Sequence, residues 1–356
     1  MSELSPLPPL NRGGHVGLCK RFLNGLPAAV VQSDSSRVAI GFYCLGSLDL
    51  LGLLEAKTKP EDRQCWIEWI WKQQMACKYG TGFKGSSYMA IDALFTPPEE
   101  YAEYDTPNLI MTYTSVLSLA ILRDDLSKLD RKGLVQFVRS CQREDGSFSA
   151  LPNGGEADLR CVYCAFAISS MLNDWSGVNL EHALDYIRRC EAYEGGYGQQ
   201  PAGEALGGTT YCALASLYLC PSPEPPIHPA HRTRTIRWLL QCQTSDGGFS
   251  GRTNKISDAC YCFWNGVSLA ILAAGNLVDA AALAGFLSQC QFNFGGIAKA
   301  PESLPDPYHT YMALAVAAVL PPPNADDSWS LPRLNALWNT TEETAAWLRK
   351  HLTEKA

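Results

Sequence analysis

A short motif recurs along the chain and limits what the chain can fold into. A Cys-Gln pair, once Cys-Glu, is followed by a glycine turn and then an aromatic or aliphatic residue. The copies run from Cys141-Gln142 to Ser147-Phe148, Cys190-Glu191 to Gly196-Tyr197, Cys242-Gln243 to Gly248-Phe249, and Cys290-Gln291 to Gly296-Ile297. Taking Ser147, Gly196, Gly248 and Gly296 as equivalent, the steps are 49, 52 and 48 residues, and a fainter copy lies upstream at Cys77 to Gly82-Phe83. Such self-similarity marks a repeat architecture, in which each unit buries its apolar face against its neighbours.

Each unit reads as two helices. The one before the glycine turn is amphipathic, with Ile187, Ile236, Leu239 and Leu240 set among Arg and Gln at helical spacing. The one after it, as in Ala259–Leu272 or Thr310–Leu320, is apolar on most sides and belongs inside. Strand signals are nearly absent. An outer amphipathic layer around an inner apolar one predicts an all-α fold: an α/α barrel, or toroid, of about six helical hairpins around a central apolar cavity. An open solenoid is the alternative, though its concave helices are not usually this apolar. The expected division is an N-terminal segment (1–35) whose Pro-rich start (Pro6, Pro8, Pro9) is flexible, the barrel (36–320), and a linker with a C-terminal helix (321–356), the helix opening on a capping box from Thr340 to Glu343.

The net charge of −7 over 356 residues argues against nucleic acid as the main partner, since phosphate contacts need clustered Lys and Arg. Aromatic residues at 10% argue against disorder. The long uncharged stretches are broken by Asn, Gly and Ser, so no transmembrane segment is expected. The start of the chain has neither a basic nor an apolar leader region, so its fourteen cysteines read as reduced thiols of a cytoplasmic protein.

The repeat register places particular side chains together. Thirteen positions after the turn reference come Arg160, Thr209 and His309, with Cys260 one position early; three further on come Tyr163, Cys212, Trp264 and Met312. All lie at the starts of inner helices, hence at one end of the ring, as a polar rim above an apolar, aromatic-walled funnel. Asp258, Cys260 and His309 then offer one oxygen, one sulfur and one nitrogen. Three protein ligands with a fourth position open is the catalytic zinc pattern. A plainer reading makes Asp258 a helix cap, Cys260 a small core residue and His309 the partner of a buried backbone group. Arg252, Lys255 and Arg160 stand near helix N-termini and suit a diphosphate, or else are surface charges, with Glu156 and Asp158 pairing Arg160. Tyr163, Phe166, Tyr211, Tyr261 and Trp264 are core residues singly, and as a set they suit the wall of a lipid tunnel.

These residues resemble the β subunits of the protein prenyltransferases. The run Gly251-Arg252-Thr253-Asn254-Lys255-Ile256-Ser257-Asp258-Ala259-Cys260-Tyr261-Cys262-Phe263-Trp264 is similar to that family's zinc and diphosphate segment, and Tyr308-His309-Thr310 to its third-ligand segment. Asp158 to Cys164 and Gly207 to Cys212 are similar to two lipid-pocket helices; the likeness runs from about Ser36 to about Leu320. It implies that a zinc-activated cysteine thiolate on a protein's C-terminal tail attacks C1 of an isoprenoid diphosphate. Arg252, Lys255 and Tyr261 would steady the leaving diphosphate, while Arg160, Tyr163, Thr209, Cys212 and Trp264 would hold the isoprenoid. It also implies a helical-repeat α subunit as partner, in a heterodimer.

Three positions discriminate within the family. Ala39 stands where farnesyl enzymes carry a tunnel-closing Trp, which makes room for a C20 chain. Lys299, ten residues before His309, stands where those enzymes hold Mg²⁺ with an Asp, so an ammonium would replace that metal and Mg²⁺ would not be required. Met312, in the peptide or tunnel wall, matches neither the Tyr of farnesyl enzymes nor the Phe of animal type I enzymes. The resemblance is thus greatest to type I geranylgeranyltransferases, which act on C-a-a-Leu tails such as those of Rho/Rac-type small GTPases, with farnesyltransferase the runner-up. One departure stands out: Leu206 replaces the family's usual diphosphate-touching His. A triterpene cyclase would need an Asp-rich acid motif that is not evident here, and a non-catalytic toroid binding module would lack the metal trio.

Overall fold

The computed structural model describes residues 6–87, 106–152, 154–221, 226–323 and 325–353. The first five residues, part of the start read above as leader-free, lie outside that set. In chain order the helices are α1 Arg12–Asn24, α2 Arg37–Leu50, α3 Leu54–Lys57, α4 Pro60–Trp71, α5 Leu109–Ile121, α6 Arg131–Cys141, α7 Leu159–Leu172, α8 Leu180–Arg189, α9 Gly207–Leu219, α10 Pro229–Gln241, α11 Ala259–Ile271, α12 Ala280–Gln289, α13 Pro307–Val319 and α14 Glu342–Leu348. Helix starts are set by side-chain caps: Asn108, Asp130, Asp158, Asn179, Asp258, Asp279 and Asp306 each accept a backbone N–H of the first turn.

The even period becomes two concentric layers. Helices α2, α5, α7, α9, α11 and α13 pack each on the next, and α13 packs back on α2, closing the inner ring. These helices are buried around nearly their whole circumference; α7 exposes almost nothing. Helices α1, α4, α6, α8, α10 and α12 form the outer layer, and α8 buries little more than Ala183, Tyr186 and Ile187. The barrel of six hairpins is therefore the observed architecture. Among the described residues, no helix is long and apolar enough to cross a membrane, and no disulfide joins the cysteines.

The glycine turns explain the repeat motif. Each is a small antiparallel bridge that joins the motif's Gln or Glu to its aromatic or aliphatic residue: Gln142 to Phe148, Glu191 to Tyr197, Gln243 to Phe249, and Gln291 to Ile297. The faint first copy opens into a full hairpin of β1 Gln74–Cys77 and β2 Gly80–Phe83. Strands β3 Ser149–Leu151 and β4 Gly154–Ala157, and β5 Ile297–Ala298 and β6 Pro305–Asp306, complete the hairpins at the rim. Strand structure is thus more frequent than the sequence suggested, because two-residue pairings carry no periodicity. At Gly247 (φ 90°) a Cβ would lie 2.1 Å from the Ala282 carbonyl of the next outer helix, so only glycine fits. At Gly295 (φ 101°) the same close approach is made to Gly14 of α1, at 2.0 Å.

That last contact changes the reading of the N-terminus. Helix α1 is the outer helix of the hairpin that closes the ring, so a boundary at residue 36 falls between the two helices of one hairpin. The Pro-rich start is also tethered, with the Pro8 carbonyl accepting Trp329 Nε1 at 2.9 Å and Leu10 buried. At the other end, β7 Leu334–Asn335 and β8 Thr340–Thr341 pair. The cap of α14 is Thr341, one residue later than expected, and it accepts the Thr344 N–H. The expected box to Glu343 does not form, and Glu343 instead pairs Arg123 at 2.8 Å.

Candidate active site

Asp258 caps α11, its Oδ1 accepting the Cys260 N–H at 2.9 Å. Cys260 lies two residues inside that cap, and His309 three residues inside the cap of α13. Neighbouring inner helices therefore present the three side chains to one another at the rim. One ligand atom from each of Asp258, Cys260 and His309 lies within 4.8 Å of the others, close enough to share one ion. The plain reading of Asp258 as a cap holds too, because Oδ1, the oxygen that caps α11, is also the one nearest His309 Nε2. Counted from the caps, Arg160 and Cys260 are equivalent, as are Thr209 and His309. Cys260 thus still stands one position nearer its cap than His309 does.

Asp306 is the residue the sequence reading passed over. It caps α13, accepting the His309 N–H at 2.9 Å, and its second oxygen holds His309 Nδ1 at 2.6 Å. This turns Nε2 toward Asp258 Oδ1, 3.4 Å away. Metal-ligating histidines have such a carboxylate behind them. The signal was available as an Asp-Pro pair opening a helix. Burial pushes the His309 imidazole down, but the two carboxylates on its nitrogens override it and raise it to about 11. Burial would raise the Asp258 carboxyl, yet hydrogen bonds with His309 and Cys260 hold it below the usual range. Burial keeps the Cys260 thiol above its ordinary value. An oxygen, a sulfur and a nitrogen so placed could together hold one metal ion.

Lys299 reaches the same corner, its Nζ 3.6 Å from Asp258 Oδ2. Beside it a cavity of about 610 Å³ is lined by Asp158, Leu206, Arg252 and Tyr261, together with Glu156, Gln199 and Glu204. Arg160 at its edge is held by Asp158 at 2.6 Å and by Glu156, so the ion-pair reading of that residue is observed. Arg252 pairs with Glu204. Lys255 stands exposed on the turn between Arg252 and Asp258. Leu206 caps α9 without a side-chain hydrogen bond, where a histidine would offer a donor.

Inside the rim the walls are aromatic. Tyr163 and Tyr211 meet edge-on at 5.4 Å, and Tyr211 packs on Trp264 at 5.0 Å. Trp264 Nε1 donates to the Tyr308 hydroxyl at 3.0 Å. Phe166 faces the outer layer instead, against Trp175. Cys212 and Met312 are buried. The Thr209 hydroxyl is spent on the Tyr197 and Leu206 carbonyls, at 2.8 and 3.1 Å. Ala39 lies apart on α2, in a small apolar cluster with Val38 and Met111, flanked by Trp69 and Ile110.

The family profile of the prenyltransferase alpha-alpha toroid domain matches residues 10–340. The chain belongs to that family. It is 37% identical over 310 residues to the geranylgeranyl transferase type-1 subunit beta of Dictyostelium discoideum, covering 83% of this chain and 86% of that one. Against the Arabidopsis thaliana subunit of the same name it is 34% identical, covering 89% and 87%. Among solved structures, Candida albicans protein geranylgeranyltransferase-I complexed with GGPP superposes with a TM-score of 0.84 at 26% identity, over 97% of this chain and 100% of that one. The resemblance to prenyltransferase β subunits, and among them to the type I geranylgeranyl branch, is borne out. So is the expectation of an enzyme of protein prenylation. The prenyltransferase profile begins within the N-terminal segment, in keeping with α1 being part of the toroid.

Proposed function

We propose that this chain is the β subunit of a type I protein geranylgeranyltransferase, transferring a C20 group from its diphosphate to the cysteine of a C-a-a-Leu tail. The observation that carries the reading is the meeting of Asp258, Cys260 and His309 at the mouth of an aromatic-walled ring. Small GTPases of the Rho/Rac type are the expected protein substrates, and a helical-repeat α subunit is the expected partner, in the reducing cytoplasm. When bound to the trio, zinc supplies the charge that keeps an incoming cysteine as thiolate near neutral pH.

The chain's own residues do the rest. The tail's sulfur forms a bond to C1 of the isoprenoid as the C1–O bond breaks and diphosphate leaves with the electron pair. Arg252, Lys255 and Tyr261 stand where negative charge grows on the leaving group, and stabilising it there lowers the barrier. The Lys299 ammonium takes the place of a second metal. Arg160, with Tyr163, Trp264, Thr209 and Cys212, shapes the isoprenoid pocket and holds the reacting carbon in line. Ala39 leaves room for the fourth isoprene unit, and Met312 contributes to the packed wall.

The test is prenyl transfer to a C-a-a-Leu peptide by the chain co-expressed with its α subunit, with zinc and with or without magnesium. Preference for C20 over C15 diphosphate, with no magnesium requirement, is the expected result. Preference for C15, or a strict need for magnesium, would move the chain to the farnesyltransferases.

A further inference from the structure

The turn that carries Arg252 is anchored through its backbone, but the Arg252 side chain is held from another loop. The Gly251 carbonyl accepts the Gly207 N–H at 2.8 Å, tying the turn to the start of α9. A Cβ on Gly251 would lie 2.3 Å from the Tyr261 ring, so backbone and ring are in tight contact. Beyond it, Thr253 to Ile256 are exposed and Asn254 takes a left-handed conformation at φ 60°. Nothing in that stretch aims the long Arg252 side chain. Glu204 does, from the loop that leads into Leu206, and both members of the pair line the cavity beside Tyr261.

We propose that Glu204 is a positioning residue for prenyl transfer, holding the Arg252 guanidinium toward the diphosphate end of the cavity. This rests on the reading of Arg252 as a diphosphate ligand. A carboxylate there has two opposed effects, competing with the incoming anion and pre-orienting its ligand. Competition is the weaker one. Both side chains are about half exposed, at 43% and 50%, so water screens the attraction. The guanidinium has five N–H donors in a rigid fork, and Glu204 engages NH1 only, which leaves the others for phosphate oxygens. Pre-orientation matters more, because an arginine on an exposed turn otherwise loses its rotamer freedom at the moment of binding. It matters further because Leu206 contributes no donor at this cavity.

The experiment compares Glu204→Gln, Glu204→Asp and Arg252→Ala in the heterodimer. Affinity is measured for geranylgeranyl diphosphate, for inorganic diphosphate and for uncharged geranylgeraniol, with melting temperature alongside. Glu204→Gln is expected to weaken both diphosphates roughly two- to five-fold, leaving the alcohol and the melting temperature unchanged. Glu204→Asp should restore most of the loss, and Glu204→Gln should add nothing once Arg252 is alanine. Tighter diphosphate binding by Glu204→Gln, or no change while Arg252→Ala weakens it, overturns the inference. An Arg252→Ala variant with unchanged diphosphate affinity overturns the underlying reading instead.

Discussion

His309 is gripped at both ring nitrogens, and the grip makes one residue a test of the metal site. Asp306→Asn keeps the cap of α13, since asparagine caps as well as aspartate, but removes the negative charge behind Nδ1. Loss of such a carboxylate typically weakens a metal about 10- to 100-fold. The expected outcome is a fall of that size in zinc affinity, read by competition with a chromophoric chelator, without loss of helix content. Leu206 supplies a second test at this scale. Leu206→His restores a donor beside Arg252 and Tyr261, and higher donor affinity or turnover is expected; no gain in either would remove that role from the position. The trio itself was legible because three ligand types fell on matched repeat positions. For Asp306 the Asp-Pro pair signals the cap, but not the hold on His309 Nδ1, which depends on where its second oxygen faces. The use of the Thr209 hydroxyl by the Tyr197 carbonyl was hidden for the same reason: spacing gives position, not direction.

Between elements, the recurring glutamine of the motif does a definable job. Gln142 clamps the cap of α8, accepting the Asn179 N–H at 2.7 Å and donating to the Asn179 carbonyl at 2.9 Å. Gln243 does the same with Asp279 at 3.1 and 3.0 Å. Gln291 accepts the Asn11 N–H at 2.9 Å, so the clamp also fastens α1. At the α8–α10 junction the residue is Glu191, which cannot donate; its carboxylate instead lies 3.4 Å from His231 Nδ1. Burial pushes the Glu191 carboxyl up despite the nearby arginines. Because the folded state then binds the proton more tightly than the unfolded chain, stability falls as pH rises from the ordinary glutamate range through the raised value. Glu191→Gln should remove this dependence and restore the clamp, for a gain of roughly 0.5–1 kcal/mol, seen as a larger rise in melting temperature over the parent at neutral pH than at pH 4. An equal effect at both pH values would rule out the titration. The helices were legible because their period is long and regular. The place of α1 was not, because it leads into the 3₁₀ stretch Ala28–Ser36 and not into the glycine turn that flags the other outer helices.

At the scale of the molecule, the ring is closed beneath its aromatic walls by the chain's own C-terminal segment. Four inner helices each send a tyrosine hydroxyl to one backbone carbonyl of a continuous run: Tyr211 to Ala336 at 2.8 Å, Tyr163 to Leu337 at 3.0 Å, Tyr113 to Trp338 at 3.0 Å and Tyr311 to Asn339 at 2.7 Å. Asp49 at the end of α2 fixes the start of α14, accepting the Thr341 and Thr344 hydroxyls at 2.7 and 2.8 Å. The sequence put a C-terminal helix after the barrel, but not this floor. Its acceptors are backbone atoms, which any sequence supplies. The ladder predicts a reversal of sign. With the segment present, Tyr311→Phe strands a buried carbonyl and should cost about 1 kcal/mol or more. In a chain ending at residue 332 the hydroxyls themselves are stranded, so the same substitution should become neutral or stabilising. Differential scanning calorimetry of the four variants reads this directly. If Tyr311→Phe costs the same in both backgrounds, the tyrosines and the segment are not coupled, and the floor is held by Asp49 and the packing of α14 alone.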